Sequence, residues 1–228
     1  MDERRDRGNQ MVDVVLYVEG GGDGRLLHDQ CRKGFRLFLE GAGLKGRMPR
    51  IVACGGREQA YDRFCMKVEE AEKHKNCIPI LLIDSECAID PKYETGDHED
   101  WKPWDFLTDN EGKKWNCPSG AKNSQCHFMV QCMESWLLCD IENLKTFFGQ
   151  GFSEKNLPKA GTNVESIDKQ KVYNCIKDAT QRSEKKGCYN KGSHSFVLLG
   201  TTDYKKVISK SKWADRFIKD LKDLLMYE

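Results

Sequence analysis

Two apolar runs, each broken off by acids, constrain the fold of this chain more than any other feature. Residues 12–18 (VDVVLYV) run directly into Glu19-Gly20-Gly21-Gly22-Asp23, and residues 78–83 (IPILLI) run directly into Asp84-Ser85-Glu86. A short apolar run bounded by Gly or an acid, with helix-periodic sequence behind it, reads as a strand buried on both faces of a parallel α/β sheet. In such sheets ligands gather beyond the carboxyl ends of the strands. Acids meeting there repel one another and raise each other's pKa values. A divalent cation relieves that repulsion, and Mg²⁺ takes oxygen ligands. The sequence therefore predicts a metal-dependent enzyme with its ligands at strand ends.

Helical periodicity fills the intervals. Residues 23–40 place Leu26, Leu27, Phe35, Leu37 and Phe38 on a helix stopped by Gly41 and Gly43. A short strand is expected at Arg50–Ala53, then Gly55-Gly56 and a helix over 58–75, where Tyr61, Phe64, Cys65 and Val68 recur at i, i+3, i+4, i+7. With the strand at 78–83 this is βαβαβ, which requires a parallel sheet. A fourth strand at 125–131 (QCHFMVQ) leads to helices at 133–139 and Ile141–Phe148. A loop at 150–168, a helix at 169–186, a basic turn at 189–194 and an amphipathic helix at Lys212–Met226 follow.

Residues 87–125 fit no period. Between Asp84 and Glu111 ten acids stand against Lys92 and Lys102, and Trp101, Trp104 and Trp115 sit among prolines. This reads as a long, partly ordered excursion at the active edge. The organisation expected is a core over 11–140 containing that excursion, and a helical, basic extension over 141–228.

Net charge is +1 and selects no partner, but it is unevenly spread: residues 1–141 hold 20 Lys/Arg against 25 Asp/Glu, and residues 142–228 hold 17 against 11. An acidic catalytic half beside a basic half suits a polyanion groove, although on charge alone Lys-rich helices read first as solvated surface. The N-terminal MDERRDRGNQ is charged and no apolar run exceeds strand length, so neither a secretory nor a membrane segment is expected. Eleven cysteines without paired spacing read as reduced thiols of a cytoplasmic protein. The run Gly20-Gly21-Gly22 lacks both the P-loop lysine and a GxGxxG pattern, and so reads as a tight turn beside the site.

A glutamate closing the first strand and a D-x-D-like pair closing a later one, here Asp84-Ser85-Glu86, resemble the Toprim fold of topoisomerases, primases and the nuclease subunits of bacterial defence systems. Residues 125–138 (QCHFMVQCMESWLL) and Tyr189-Asn190-Lys191-Gly192 are similar to segments of a Toprim-like family of unknown function (domain-of-unknown-function family 4276), over roughly residues 11–225. The resemblance implies a Toprim-like parallel sheet flanked by helices, with a helical C-terminal extension.

Residue by residue, the resemblance implies that Glu19 binds metal or shuttles a proton and that Asp84 is a metal ligand. Glu86, where Asp is usual, would reach the same ion from about one methylene further out. Asp23 matches a second acid of the nuclease branch, or else caps the following helix. Glu134 matches a further catalytic acid, holding a second ion with Asp23 if the fourth strand neighbours the first, or else is an exposed helix residue. Lys191 and His194 would neutralise the transition-state phosphate, and Lys185, Lys186, Lys191 and His194 would bind the nucleic-acid backbone. The implied activity is Mg²⁺- or Mn²⁺-dependent hydrolysis of DNA or RNA phosphodiesters. Such an effector of antiviral defence would work with an ATPase partner, and a homo-oligomer is compatible with it. The alternative is a non-catalytic docking or sensing subunit of an ATPase complex, which the substitution at Glu86 and the acidic, Trp-rich excursion keep open.

Overall fold

Near-continuous burial along the central strands sets the architecture. The computed structural model describes residues 13–74, 77–159 and 161–226. Four strands, β1 (Asp13–Val18), β2 (Arg50–Ala53), β3 (Cys77–Asp84) and β4 (Cys126–Met129), form an all-parallel sheet in the order β2-β1-β3-β4. Val14, Leu16 and Val18 of β1 and Ile80 and Leu82 of β3 face one core. Val15, Tyr17, Leu81 and Ile83 face the other. A period of two with apolar side chains on both faces is what a covered parallel strand requires. The expected α/β sheet flanked by helices is the architecture found. Val12, expected to open the first strand, lies outside the described residues.

The first core is filled by α1 (Arg25–Leu39), which buries Cys31, Phe35, Phe38 and Leu39. A π-helical turn, Glu40–Leu44, ends it where Gly43 takes φ 93°. The same core takes in residues of every C-terminal α-helix: α4 (Glu134–Leu137), α5 (Ile141–Phe148), α6 (Lys169–Thr180), α7 (Lys191–Leu199), α8 (Tyr204–Ile208) and α9 (Lys212–Met226). Helices α1 and α7 cross closely at Gly34, where a Cβ would stand 2.4 Å from the carbonyl oxygen of Phe196. Only glycine permits that approach.

The second core contains α2 (Arg57–His74) and α3 (Pro103–Glu111). The excursion expected to be partly ordered is instead packed. Trp101, Trp104 and Trp115 are all buried, joining Phe64 of α2, Phe106 of α3, Phe128 of β4 and Trp213 of α9. Most acids of this segment stay outside, Glu94 excepted, which accepts the Trp213 indole N–H (2.7 Å), while the large apolar rings cover the sheet, so composition concealed a structural role.

Besides α4, which covers only Glu134–Leu137 of the expected 133–139, three boundaries differ from expectation. Strand β4 is shorter than 125–131, because Gln125 closes a 3₁₀ turn and Gln131 takes φ 65°. Helix α6 stops at Thr180 rather than 186: the amide of Glu184 bonds Gln150, and the carbonyl of Arg182 packs on Gly151. The basic turn at 189–194 is partly helix, since the Asn190 side chain accepts the Ser193 amide and caps α7 at Lys191.

Strand β4 is an edge, and α9 closes it. The fully buried Arg216 donates to the carbonyls of Cys126 (2.8 Å), Asn123 (2.7 Å) and His98 (3.0 Å). Carbonyls at a buried sheet edge need such partners. No helix among the described residues is long and apolar enough to cross a membrane.

Candidate functional site

The carboxyl ends of β1 and β3 are adjacent in the sheet, and their acids meet there. Glu19 directly follows β1; its amide donates to Leu82 of β3 (3.0 Å), and its Oε2 accepts the Asp84 amide (3.0 Å). Asp84 ends β3, and its Oδ1 accepts the amide of Met133 (2.9 Å). The chain then turns at Ser85, whose hydroxyl donates to the Cys87 carbonyl (2.6 Å) and accepts the Gln131 amide (2.8 Å). This turn puts Glu86 at φ 67°, a left-handed conformation uncommon for a residue with a Cβ. It aims the Glu86 carboxylate back at the strand ends. Glu19, Asp84 and Glu86 each offer an oxygen within 4.8 Å of the others.

This packing is electrostatically costly. Asp84 is 4 % exposed. Burial, with Glu19 beside it, holds its carboxyl well above the ordinary range. Burial also pushes the Glu19 carboxyl up, opposed by the bond from the Asp84 amide.

The balancing charge comes from Lys169, which the sequence reading did not single out. Its Nζ lies 2.6 Å from Glu86 Oε1 and 3.5 Å from Asp84 Oδ2. Burial alone would lower its pKa, but Asp84 and Glu86 outweigh that and raise it. Lys169 opens α6 behind Asp168, whose side chain caps the helix by accepting the Gln170 and Lys171 amides. That capping pattern was readable in the sequence; its pairing with Asp84, 85 residues away, was not.

Glu134 is fully buried rather than exposed. Its Oε1 accepts the Tyr189 hydroxyl (2.9 Å) and lies 3.2 Å from the Ser195 hydroxyl, while Oε2 accepts the Tyr173 hydroxyl (3.2 Å). Lys191 Nζ donates to Tyr173 (2.8 Å) and stands 3.8 Å from Glu134 Oε1. Burial and then Glu134 raise the phenol pKa values of Tyr173 and Tyr189. The route expected to bring Glu134 to Asp23 is absent, because β4 pairs with β3 and not with β1. Glu134 therefore anchors α6 and α7, and through Tyr173 it orients Lys191.

The other expected residues separate into two places. Asp23 is exposed in the turn before α1; the cap position belongs to Gly24, with no side-chain cap bond, so Asp23 does not cap the helix. Asp23 and Lys191 both line a cavity of about 440 Å³ above Glu19 and Asp84, walled also by Gly20, Gly21, Gly22, Leu27, Gly55, Gly56, Gln59, Met133, Gly192 and Phe196. Lys186 and His194 gather instead at α5: Lys186 Nζ lies 4.8 Å from the Phe147 ring centre, and His194 packs at 5.4 Å on Phe148. Lys185 and Lys186 are exposed. Burial and Lys186 lower the His194 pKa.

The glycine turn beside the site is held by a reciprocal pair of bonds. The amide of Gly20 donates to Gly55 (2.8 Å) and that of Gly55 to Gly20 (2.9 Å). Gly55 takes φ 80°, and a Cβ there would stand 2.8 Å from the Gly22 carbonyl. The glycines thus let two turns meet beside the carboxylates.

A family model described as a domain of unknown function (DUF4276) matches residues 18–222. No curated protein and no solved structure matches the chain. The match runs from the end of β1 through most of α9 and takes in every residue of the site, so the chain belongs to the domain-of-unknown-function family DUF4276.

Proposed function

We propose that this chain is a divalent-metal-dependent phosphodiesterase of Toprim type, acting on DNA or RNA. One observation carries the reading: Glu19, Asp84 and Glu86 converge within 4.8 Å at the carboxyl edge of a parallel sheet. The donor set suits Mg²⁺ or Mn²⁺, being all oxygen and including a buried acid whose ionisation a cation would offset. Glu19 and Asp84 would hold the ion, with Glu86 completing the set. Bound there, it would supply Lewis acidity towards a phosphoryl oxygen and lower the pKa of water.

The chain's own groups would do the rest. Asp84, fixed by the Met133 amide, and Glu19, fixed by the Asp84 amide, present their oxygens without rearrangement. Lys191, oriented by Tyr173, puts positive charge on the cavity wall where phosphoryl oxygens would lie. In hydrolysis a water oxygen bonds to phosphorus and the ester P–O bond breaks. Glu19 would take the proton that water loses, and solvent would return one to the leaving oxygen.

The Toprim relationship, an ATPase partner, a role in anti-phage defence and a cytoplasmic setting rest on the resemblance of the motifs. The test is incubation of the purified protein with plasmid, single-stranded DNA and tRNA in Mn²⁺. Cleavage lost in Asp84→Ala supports the reading; cleavage retained in that variant overturns it. A second reading, a non-catalytic docking or sensing subunit, is favoured by Lys169, which already neutralises part of the acidic cluster. A Mn²⁺ titration separates the two, because a docking scaffold need not bind the ion.

A further inference from the structure

The cavity above the carboxylates limits what can reach them. Its walls include two glycine turns and the start of α7, and Asp84 lies at its base with 4 % of its surface exposed. A phosphodiester must therefore enter the cavity to meet Asp84. In a duplex the phosphates line a convex surface, each flanked by neighbours, with their bases stacked and paired inside. A recessed acid is met more readily by the pliable backbone of a single strand, whose unpaired bases are free to splay apart.

The volume, about 440 Å³, lies in the lower part of the range for pockets that enclose one small ligand. It has room for one nucleotide and not for a stacked pair of strands. Its lining is mixed. Leu27, Met133 and Phe196 offer apolar surface to a base, whereas Glu19, Asp84 and Lys191 mark where its phosphate would lie. Stacking on the Phe196 ring would tolerate any sequence, because every base has a π-face.

We infer that this cavity receives one unstacked nucleotide of a single strand, so that the substrate class is single-stranded nucleic acid or a frayed end. This rests on the phosphodiesterase reading for the role of the carboxylates, but the pocket itself is tested by binding. Gly192 provides the variant. It lines the cavity at the start of α7, and a Cβ there would meet only ordinary contacts, the nearest being Asn190 Oδ1 at 3.4 Å and Leu27 Cδ2 at 3.9 Å. Gly192→Leu would fill the space without straining the backbone.

The experiment measures anisotropy of a labelled 12-nucleotide single strand and of its blunt duplex in Ca²⁺, with thymidine 5′-monophosphate as competitor. Mn²⁺ titration and melting temperature are recorded for each protein. The single strand should bind at least tenfold more tightly than the duplex, and the mononucleotide should displace it. Gly192→Leu should lose tenfold or more of that affinity, with melting temperature and Mn²⁺ binding unchanged. Equal or tighter duplex binding overturns the inference, as does wild-type affinity in Gly192→Leu. Binding of the mononucleotide with exclusion of the strand overturns it too. Strand binding through Gly192 without any Mn²⁺ binding would sustain the pocket and remove the phosphodiesterase reading. Mn²⁺ binding lost in Asp84→Asn, with no strand binding, would do the reverse.

Discussion

The ammonium of Lys169 lies 2.6 Å from a carboxylate oxygen of Glu86, joining the start of α6 to the turn after β3 across 83 residues of sequence. Glu86 is 39 % exposed on its side chain and Lys169 25 %, so solvent reaches this pair. An exposed pair contributes little to stability. Its larger effect is on the acidic cluster, where Lys169 stands as the resident cation.

Removing that cation should favour a metal. Lys169→Met keeps the aliphatic stem but withdraws the charge, and the cluster becomes more negative. Mn²⁺ affinity should rise by about tenfold, equivalent to about 1.4 kcal/mol, as read by calorimetric titration. An unchanged dissociation constant would place Lys169 outside the ion's surroundings.

Asp84 should make stability depend on pH. Its folded pKa lies above the ordinary 3.8. Between the two values the folded state holds a proton that the unfolded chain has lost, so stability falls as pH rises through that window. Lys169 has a raised pKa, so its contribution is complete below 10.5 and does not vary across this range. Asp84→Asn removes the ionisation, and its melting temperature should exceed that of the wild type at pH 7 to 8. The advantage should shrink towards pH 4. A constant difference across the series would assign it to packing instead.

Glu134 should behave as an anchor. Glu134→Ala removes the acceptor shared by Tyr173, Tyr189 and Ser195; Ser195 keeps the Lys191 carbonyl (2.6 Å) and Tyr189 keeps Ser195 (2.7 Å), so the half-buried Tyr173 hydroxyl is the one left without an acceptor, which costs about 1–3 kcal/mol. Urea denaturation should show a large loss, and Glu134→Gln, which keeps one acceptor oxygen, a smaller one. Excess Mn²⁺ should restore activity to neither. Rescue by Mn²⁺ would return Glu134 to the ligand set.

The crossing of α1 and α7 should be intolerant of one methyl group. Gly34→Ala places a Cβ 2.4 Å from the Phe196 carbonyl oxygen, and the backbone there has no rotamer to change. Overpacking of this kind costs about 1–3 kcal/mol. Because Phe196 and Gly192 share α7, strand binding should weaken along with stability. A melting temperature equal to wild type would mean that the helices separate freely.

Much of the site was legible because it is local. Glu19 and Asp84 each follow a strand whose apolar pattern fixes where it ends, and parallel pairing of β1 with β3 brings those ends together. Glu86 was legible as an acid two residues beyond Asp84, but its left-handed turn was not. The tryptophans of 87–125 were visible as large apolar groups; their acidic neighbours suggested exposure, and packing against Phe64 and Phe128 reversed it.

By itself the sequence determined the βαβαβ order, the two buried central strands, the acids at their ends and the glycine turn beside them. Each depends on the period of apolar residues or on backbone freedom within a few positions. Only the tertiary structure decided that β4 pairs with β3, that Glu134 is buried beneath two tyrosines, and that Lys169 is the cation facing Asp84. Those choices join residues from 39 to 85 positions apart. They are settled by which surfaces can be covered and which buried charges can be paired once the whole chain is packed, and no local pattern carries that information.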